Sequence, residues 1–290
     1  MVLIAGPWVS SAIRNKFNLV VGTMGNGISK GSWEVSGTGR GDGSLTDADI
    51  ADPVRGTAFA VYSEDDHSLM FYKRRRLPKV GGMFNSRRVT EVYTGFETDR
   101  YWATWDTTNS SVNNGPTNCP WFKHHDDILS VSVVDYGIKP HDMSFWFQLF
   151  SKLRTVNIKR FNMSDCTNWQ HTFWHCKALT ALNLSGMNCE RLGVIESMCT
   201  ACYSLKTVSF AGWKGSPTSV GILFDSCYAL ESVEFGEIDF SKAADAHYTF
   251  YNCRSLILDC SNWNISANIR HDCFNVGAPG VISPKVWLSV

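Results

Sequence analysis

Cysteine and histidine are the residues whose types and spacing most invite chemistry in this chain. Ten cysteines occur, and Cys199-x-x-Cys202 has the spacing of half a zinc knuckle, since two thiolates three residues apart can reach one tetrahedral ion. His171 and His175 stand four apart just before Cys176, again at ligand-like spacing, and His124-His125-Asp126-Asp127 forms another polar cluster. None of the three is tied to a second ligand pair, so structural roles are expected, with no metal and no other cofactor. Catalytic signatures are as sparse: no phosphate loop with its lysine and no His-Glu-x-x-His helix occur, and the carboxylates are scattered. A non-enzymatic binding protein is the expectation.

The elements that position these residues repeat. Phe173-x-x-Cys176-x-x-Leu179-x-x-Leu182-x-Leu184 returns as Cys199-x-x-Cys202-x-x-Leu205-x-x-Val208-x-Phe210 and as Phe224-x-x-Cys227-x-x-Leu230-x-x-Val233-x-Phe235. Upstream, Phe147, Phe150, Leu153, Val156 and Ile158 keep the pattern with Phe in the Cys slot; downstream, Phe250, Cys253 and Leu256 lead to Leu258 and Cys260, one residue short. Positions 150, 176, 202, 227 and 253 are separated by 26, 26, 25 and 26 residues. So regular a period marks a solenoid, whose units bury their apolar faces only by stacking. The spacing of three from Phe173 to Leu179 predicts a helical or 3₁₀ turn, and the spacing of two from Leu182 to Leu184 a short strand. The Cys slot becomes a buried column of small hydrophobes, which also places Cys199 in the core. Phe161, Met187, Trp213, Ile238 and Trp263, three places past each strand, are expected to plug the corner.

The pattern resembles the BspA-type leucine-rich repeats of bacterial surface proteins, some protozoa and phage-encoded proteins, which run Met-Phe-x-x-Cys-x-x-Leu-x-x-Leu-x-Leu-Ser-x-Phe/Trp. Leu184-Ser185-Gly186-Met187 and Phe210-Ala211-Gly212-Trp213 match its final segment, and the resemblance covers about residues 128 to 275. It implies an α/β-type leucine-rich-repeat solenoid, with one short helical turn and one short parallel strand per coil. It also implies a β-hairpin ahead of the repeats. Phe150 in place of Cys, and Cys199 in place of Phe, depart from the motif.

The remainder organises around that solenoid. Four segments are expected: a Gly-rich N-terminal arm (1–52), a small β-rich module (53–127), the repeats (128–276) and a C-terminal cap (277–290). A Gly-rich arm of this length is expected to lie against an assembly partner or a second subunit. Its Arg40-Gly41-Asp42 resembles an integrin ligand, with chance occurrence preferred. Thr57-Ala-Phe-Ala-Val-Tyr62 and Ser68-Leu-Met-Phe-Tyr-Lys73, joined by polar Ser63-Glu-Asp-Asp-His67, read as a hairpin. The basic run Lys73-Arg74-Arg75-Arg76 could grip phosphates, but a solvated strand end is preferred. Tyr93, Phe96, Tyr101, Trp102, Trp105 and Trp121 could stack on sugars, but a compact aromatic core is preferred. Phe274 lies close to where a sixth coil would place its Phe, and that coil is not expected to complete.

Lys plus Arg equals Asp plus Glu at 27 each, which supplies no whole-chain field for nucleic acid or an acidic membrane. No run of about 20 apolar residues exists, so no membrane insertion is expected. The first residues lack the basic start and apolar length of a signal peptide, and the expected location is a virion or an extracellular surface. The expected partner is a protein or carbohydrate on a cell surface. The expected contact is the outward row of the strands, Asn157, Asn183, Ser209, Glu234 and Asp259, with Lys159 and Ser185 in the row beyond. A phage or prophage virion component is favoured, with a BspA-like adhesin and a purely structural spacer as alternatives.

Overall fold

The computed structural model describes residues 51–103 and 117–288, all in the compact unit running from Asp47 to the C terminus. The Gly-rich arm up to residue 50, with its Arg40-Gly41-Asp42, and Trp105 lie outside the described residues.

β1 (Thr57–Ser63) and β2 (Ser68–Arg74) form the expected antiparallel hairpin over seven residue pairs. A two-stranded flap, β3 (Met83–Phe84) and β4 (Arg87–Arg88), precedes β5 (Glu91–Thr94), which pairs with the free edge of β1. β6 (Ser130–Val133) then runs parallel to β2, and β7 (Thr155–Asn157) parallel to β6. One face of this five-stranded sheet, with Ala60, Tyr62, Leu69 and Phe71, joins the solenoid core. On the opposite face Phe59, Val61 and Tyr72 are covered by Phe84 and Val89 of the flap. Burial on both faces is why β1 and β2 read as nearly continuous apolar runs. The hairpin and the repeats therefore share one core.

The solenoid strands are β8 (Ala181–Asn183), β9 (Leu192–Val194), β10 (Thr207–Ser209), β11 (Gly215–Ser219), β12 (Ser232–Glu234), β13 (Leu258–Asp259) and β14 (Val281–Ile282). β8, β10 and β12 form one parallel sheet in strict register; β9 and β11 form a second on another side of the stack. All but one of the repeat residues assigned to the core are buried: Phe173, Cys176, Leu179, Leu182, Leu184, Cys202, Leu205, Val208, Phe210, Cys227, Leu230, Val233, Cys253 and Leu256. Phe235 is the exception, being partly buried. The coil after it is one residue short, so β13 pairs with β14 and not with β12, and leaves that ring less covered.

The structure corrects one local expectation. Among the described residues no α-helix forms, and the stretches Phe147 to Leu153 and its repeats are chains of four-residue turns. Trp146 N–H donates to Met143 O, Phe150 N–H to Phe147 O and Leu153 N–H to Phe150 O, a spacing of three residues that mimics a helix in sequence. Phe145 and Leu149 take left-handed φ values of 64° and 65°, and the same pair of places recurs as His171/His175, Ser197/Ala201, Ile222/Ser226, Tyr248/Asn252 and Cys273/Gly277. A left-handed residue at the third place of a turn is the type II geometry, and it breaks any helix. The N–H groups of every second residue, those of the left-handed pair among them, leave the coil altogether. Those of Met143, Phe145, Phe147 and Leu149 donate to the carbonyls of Asn168, Gln170, Thr172 and Trp174 in the next coil. Four such rungs recur at each of the five junctions down to Ala246, Tyr248, Phe250 and Asn252, which donate to residues 270, 272, 274 and 276. The result is a six-coil β-solenoid with turns in place of helices.

The sixth coil also runs further than its sequence suggested. Asn275, not Phe274, holds the Phe slot; Ala278 holds the Cys slot and Val281 the following Leu slot, as shown by Ala278 N–H to Asn275 O and Val281 N–H to Ala278 O. A 3₁₀ turn at Lys285–Trp287 closes the inner core, with the Trp287 ring stacked on His271 at 4.4 Å.

Candidate functional site

Each coil strand shows one face outward. Asn157, Lys159, Asn183, Glu234 and Asp259 are exposed there, and Ser185 and Ser209 are half-buried. Strand pairing sets Ser209 directly between Asn183 and Glu234, and the Ser209 hydroxyl donates to Glu234 Oε2 at 2.7 Å. These three residues line a shallow depression of about 250 Å³, floored by Leu182, Val208 and Val233 and completed by Thr207 and Ser232. Thr207 and Ser232 were not anticipated. They occupy the outward position two residues before the expected row, and the period of two could have found them.

The other expected contacts lie apart. Lys159 Nζ donates to the Ser185 hydroxyl at 2.7 Å across the first two coils, past the strand and at the corner. Asp259 is out of register with Glu234, because β13 has left β12. The Asp259 carboxylate accepts the Ser261 N–H at 2.8 Å, and the hydrogen bonds from Ser261 hold its carboxyl below the usual range. Asn183 Oδ1 likewise accepts Ser185 N–H at 3.1 Å, and the Ser209 hydroxyl accepts Ala211 N–H at 3.3 Å. Polar residues at the strand ends thus also turn the chain, as short Asn, Asp and Ser side chains do when they satisfy an N–H two residues on.

The residues that suggested metal chemistry are placed otherwise. Among the described residues no group of three or more His, Cys, Asp or Glu side chains is arranged to hold an ion. Cys176, Cys202, Cys227 and Cys253 are free thiols in one buried column. Each donates from Sγ to the Phe-slot carbonyl one coil before it: Phe147 at 3.2 Å, Phe173 at 3.1 Å, Cys199 at 3.0 Å and Phe224 at 3.1 Å. Burial pushes the Cys202 and Cys253 thiols up to about 12. His171 stacks on Trp174 and His175 lies tilted against the same ring, and burial holds both imidazoles down to about 4. His124 stacks on Tyr62 at 3.8 Å and His125 on Phe122 at 4.4 Å.

The basic run is structural as well. Arg74 is buried against Asp135 with Nε at 2.9 Å, Lys73 pairs with Glu97 and Arg75 with Asp52. Tyr93, Phe96, Tyr101 and Trp121 are core residues, while Trp102 is exposed. A second surface feature follows the Cys slot by one residue: Lys177, Tyr203, Tyr228 and Arg254 stack along the edge, with the two tyrosine rings 5.3 Å apart and a cation over each outer face. The ring faces are spent on one another, which leaves only edges and hydroxyls for a partner.

Residues 130–213 and 213–277 each match the family described as Mycoplasma protein of unknown function, DUF285. No curated protein and no solved structure matches the chain. The two matched segments meet at Trp213, the plug residue at the corner of the third coil, and together they take in all of the Cys-slot column from Phe150 to Cys253. They span just over half of the sequence, and the chain belongs to the DUF285 family.

Proposed function

We propose that the chain is a non-enzymatic recognition protein that contacts a cell surface through the outward face of β8, β10 and β12. The observation that carries this is the depression over Asn183, Thr207, Ser209, Ser232 and Glu234, where hydroxyl, amide and carboxylate groups sit in register on a rigid sheet. Such a row offers alternating donors and acceptors to a carbohydrate or a peptide, and extended solenoid faces serve as binding surfaces. Kinship with BspA-type leucine-rich repeats is part of the proposal. It is supported by the Leu184-Ser185-Gly186-Met187 motif and by a family match over the same stretch. A phage or prophage virion component is preferred to a cellular adhesin.

The spacer alternative has its own support, because Asn183, Ser209 and Asp259 already serve the turns behind them. Binding of the purified chain to a glycan array and to intact bacteria separates the two. Recognition predicts retention of the wild type, and a loss of about tenfold or more in Glu234→Gln with an unchanged melting curve. No retention of the wild type on either support leaves the spacer. Neighbouring genes for capsid and tail, as against cell-wall genes, divide virion component from adhesin.

A further inference from the structure

The depression on the outward face of β8, β10 and β12 is one-sided in its chemistry. Parallel pairing sets Thr207 beside Ser232 and Ser209 beside Glu234. Four oxygen-bearing side chains thus rise from the corners of a backbone rectangle of about 4.8 by 6.6 Å, the coil spacing by two strand residues. Val208 and Val233 form the floor between them. Three corners are hydroxyls and the fourth is the Glu234 carboxylate, the single charged group among the lining residues. Asn183 carries the single side-chain N–H donor there. The Ser209 hydroxyl is engaged twice, donating to Glu234 Oε2 at 2.7 Å and accepting the Ala211 N–H at 3.3 Å. Glu234 Oε1 and the hydroxyls of Thr207 and Ser232 have no hydrogen-bond partner among the described residues. No cation answers the carboxylate, because Lys206, just ahead of β10, is paired with Glu231 at 3.4 Å.

We infer that this depression takes a basic side chain, lysine or arginine, from an extended protein partner. The inference rests on the recognition reading above and narrows its ligand from carbohydrate or peptide to peptide. Charge selects first: one carboxylate and no free cation attract an ammonium or guanidinium, and repel polymers that carry phosphate or carboxylate. Hydrogen bonding agrees, since both basic heads are donors only and the corners supply open lone pairs. Size agrees as well. A volume of about 250 Å³ falls below the roughly 300–1,000 Å³ of sites that enclose a small molecule. It suits one side chain of a larger partner, whose methylene stem lies on Val208 and Val233 while the charged head meets the rim. No ring is among the lining residues, so a sugar finds no flat face to stack on. The backbone of β10 is already paired with β8 and β12, so the partner is held through side chains and not as an added strand.

The test uses the full chain, isotope-labelled, and a capped peptide of alternating Lys and Ser, with analogues carrying Glu or norleucine in place of Lys. The Lys peptide is expected to move the amide signals of Thr207, Ser209, Ser232 and Glu234. The Glu and norleucine analogues should bind at least about tenfold more weakly, and added salt should weaken the Lys peptide. Glu234→Lys, at an exposed position and with the wild-type melting curve, should reverse the order and prefer the Glu peptide. Equal binding of the Lys and norleucine peptides overturns the inference, as do unmoved signals with the Lys peptide at its solubility limit. Should the chain then still be retained on glycans or on bacteria, recognition stands and its ligand is not a basic peptide. Retention on neither would remove recognition as well.

Discussion

At the scale of the residue, the Cys slot shows why a thiol suits a position that any small hydrophobe could fill. The carbonyl of Phe173 already accepts the Cys176 N–H within its own coil, and Cys202 Sγ adds a second, weaker donor from the next. Cysteine fits the tight inner turn and satisfies a buried lone pair together. With burial raising these thiols, thiolate is scarce, so an aromatic disulfide reagent in mildly alkaline buffer should modify Cys273 first. Cys176, Cys202, Cys227 and Cys253 should react only on the timescale of unfolding; Cys273 is the only one of the ten that is not fully buried. Fast reaction of the column would place it at the surface.

The histidines carry an acid-side prediction. Burial lowers His171 from its ordinary 6.5 to about 4, so the unfolded chain takes up the proton first as pH falls. The stability that neutral His171 supports is full above its unfolded value near 6.5, and is lost as pH falls through about 4. The size is of the order of 3 kcal/mol. Urea midpoints across that window should fall less steeply in His171→Asn, a residue that tolerates the left-handed φ of 56° at this position. Parallel pH profiles for variant and wild type would show that His171 does not titrate differently on folding.

At the scale of the element, the paired left-handed residues define the coil. Eleven of these twelve places are held by residues other than glycine, among them Phe145, Leu149, Ile222 and Tyr248. Each costs on the order of 1 kcal/mol, and in the first five coils the cost is met because the turn sends the N–H groups of these residues to the next coil. Ala201, with φ of 57° and its N–H bonded to Asp225 O at 2.8 Å, isolates this term. Ala201→Gly should raise stability by up to about 1 kcal/mol, net of the added freedom of the unfolded chain, read as a higher thermal midpoint. A fall would mean that the turn carries no strain. The corner after the strand allows no such exchange in reverse: a Cβ on Gly236 would stand 2.5 Å from Phe210 O in the coil beneath.

At the scale of the whole molecule, the first coil of the stack is capped by the segment that precedes it. Trp121 stands in for a missing coil, because its indole N–H takes the place of a rung donor and its ring packs on Trp146 at 5.1 Å. Trp121→Phe keeps most of the packing and removes the donor, leaving a buried carbonyl short of a partner. A loss of about 1–3 kcal/mol is expected in chemical denaturation, together with faster exchange in the first coil than in the fifth. A uniform change along the stack would indicate that the cap and the repeats do not act as neighbours.

Spacing in the sequence was enough to establish the coil period, the corner plugs and the buried column, because stacking demands the same side-chain size at the same place in every layer. It also placed Asn183, Ser209 and Glu234 on one outward face, since alternation along a strand is local. Three things were settled only by tertiary contacts. A spacing of three arises from serial turns as well as from a helix, and only where the N–H groups go, to the next coil or along the same one, tells them apart. The fate of Lys73, Arg74 and Arg75 depended on Glu97, Asp135 and Asp52, which lie 23 to 61 residues away in the chain. Completion of the sixth coil turned on its predecessor, because the donors of Ala246 to Asn252 must find carbonyls, and they impose the fold on a segment whose own pattern has faded.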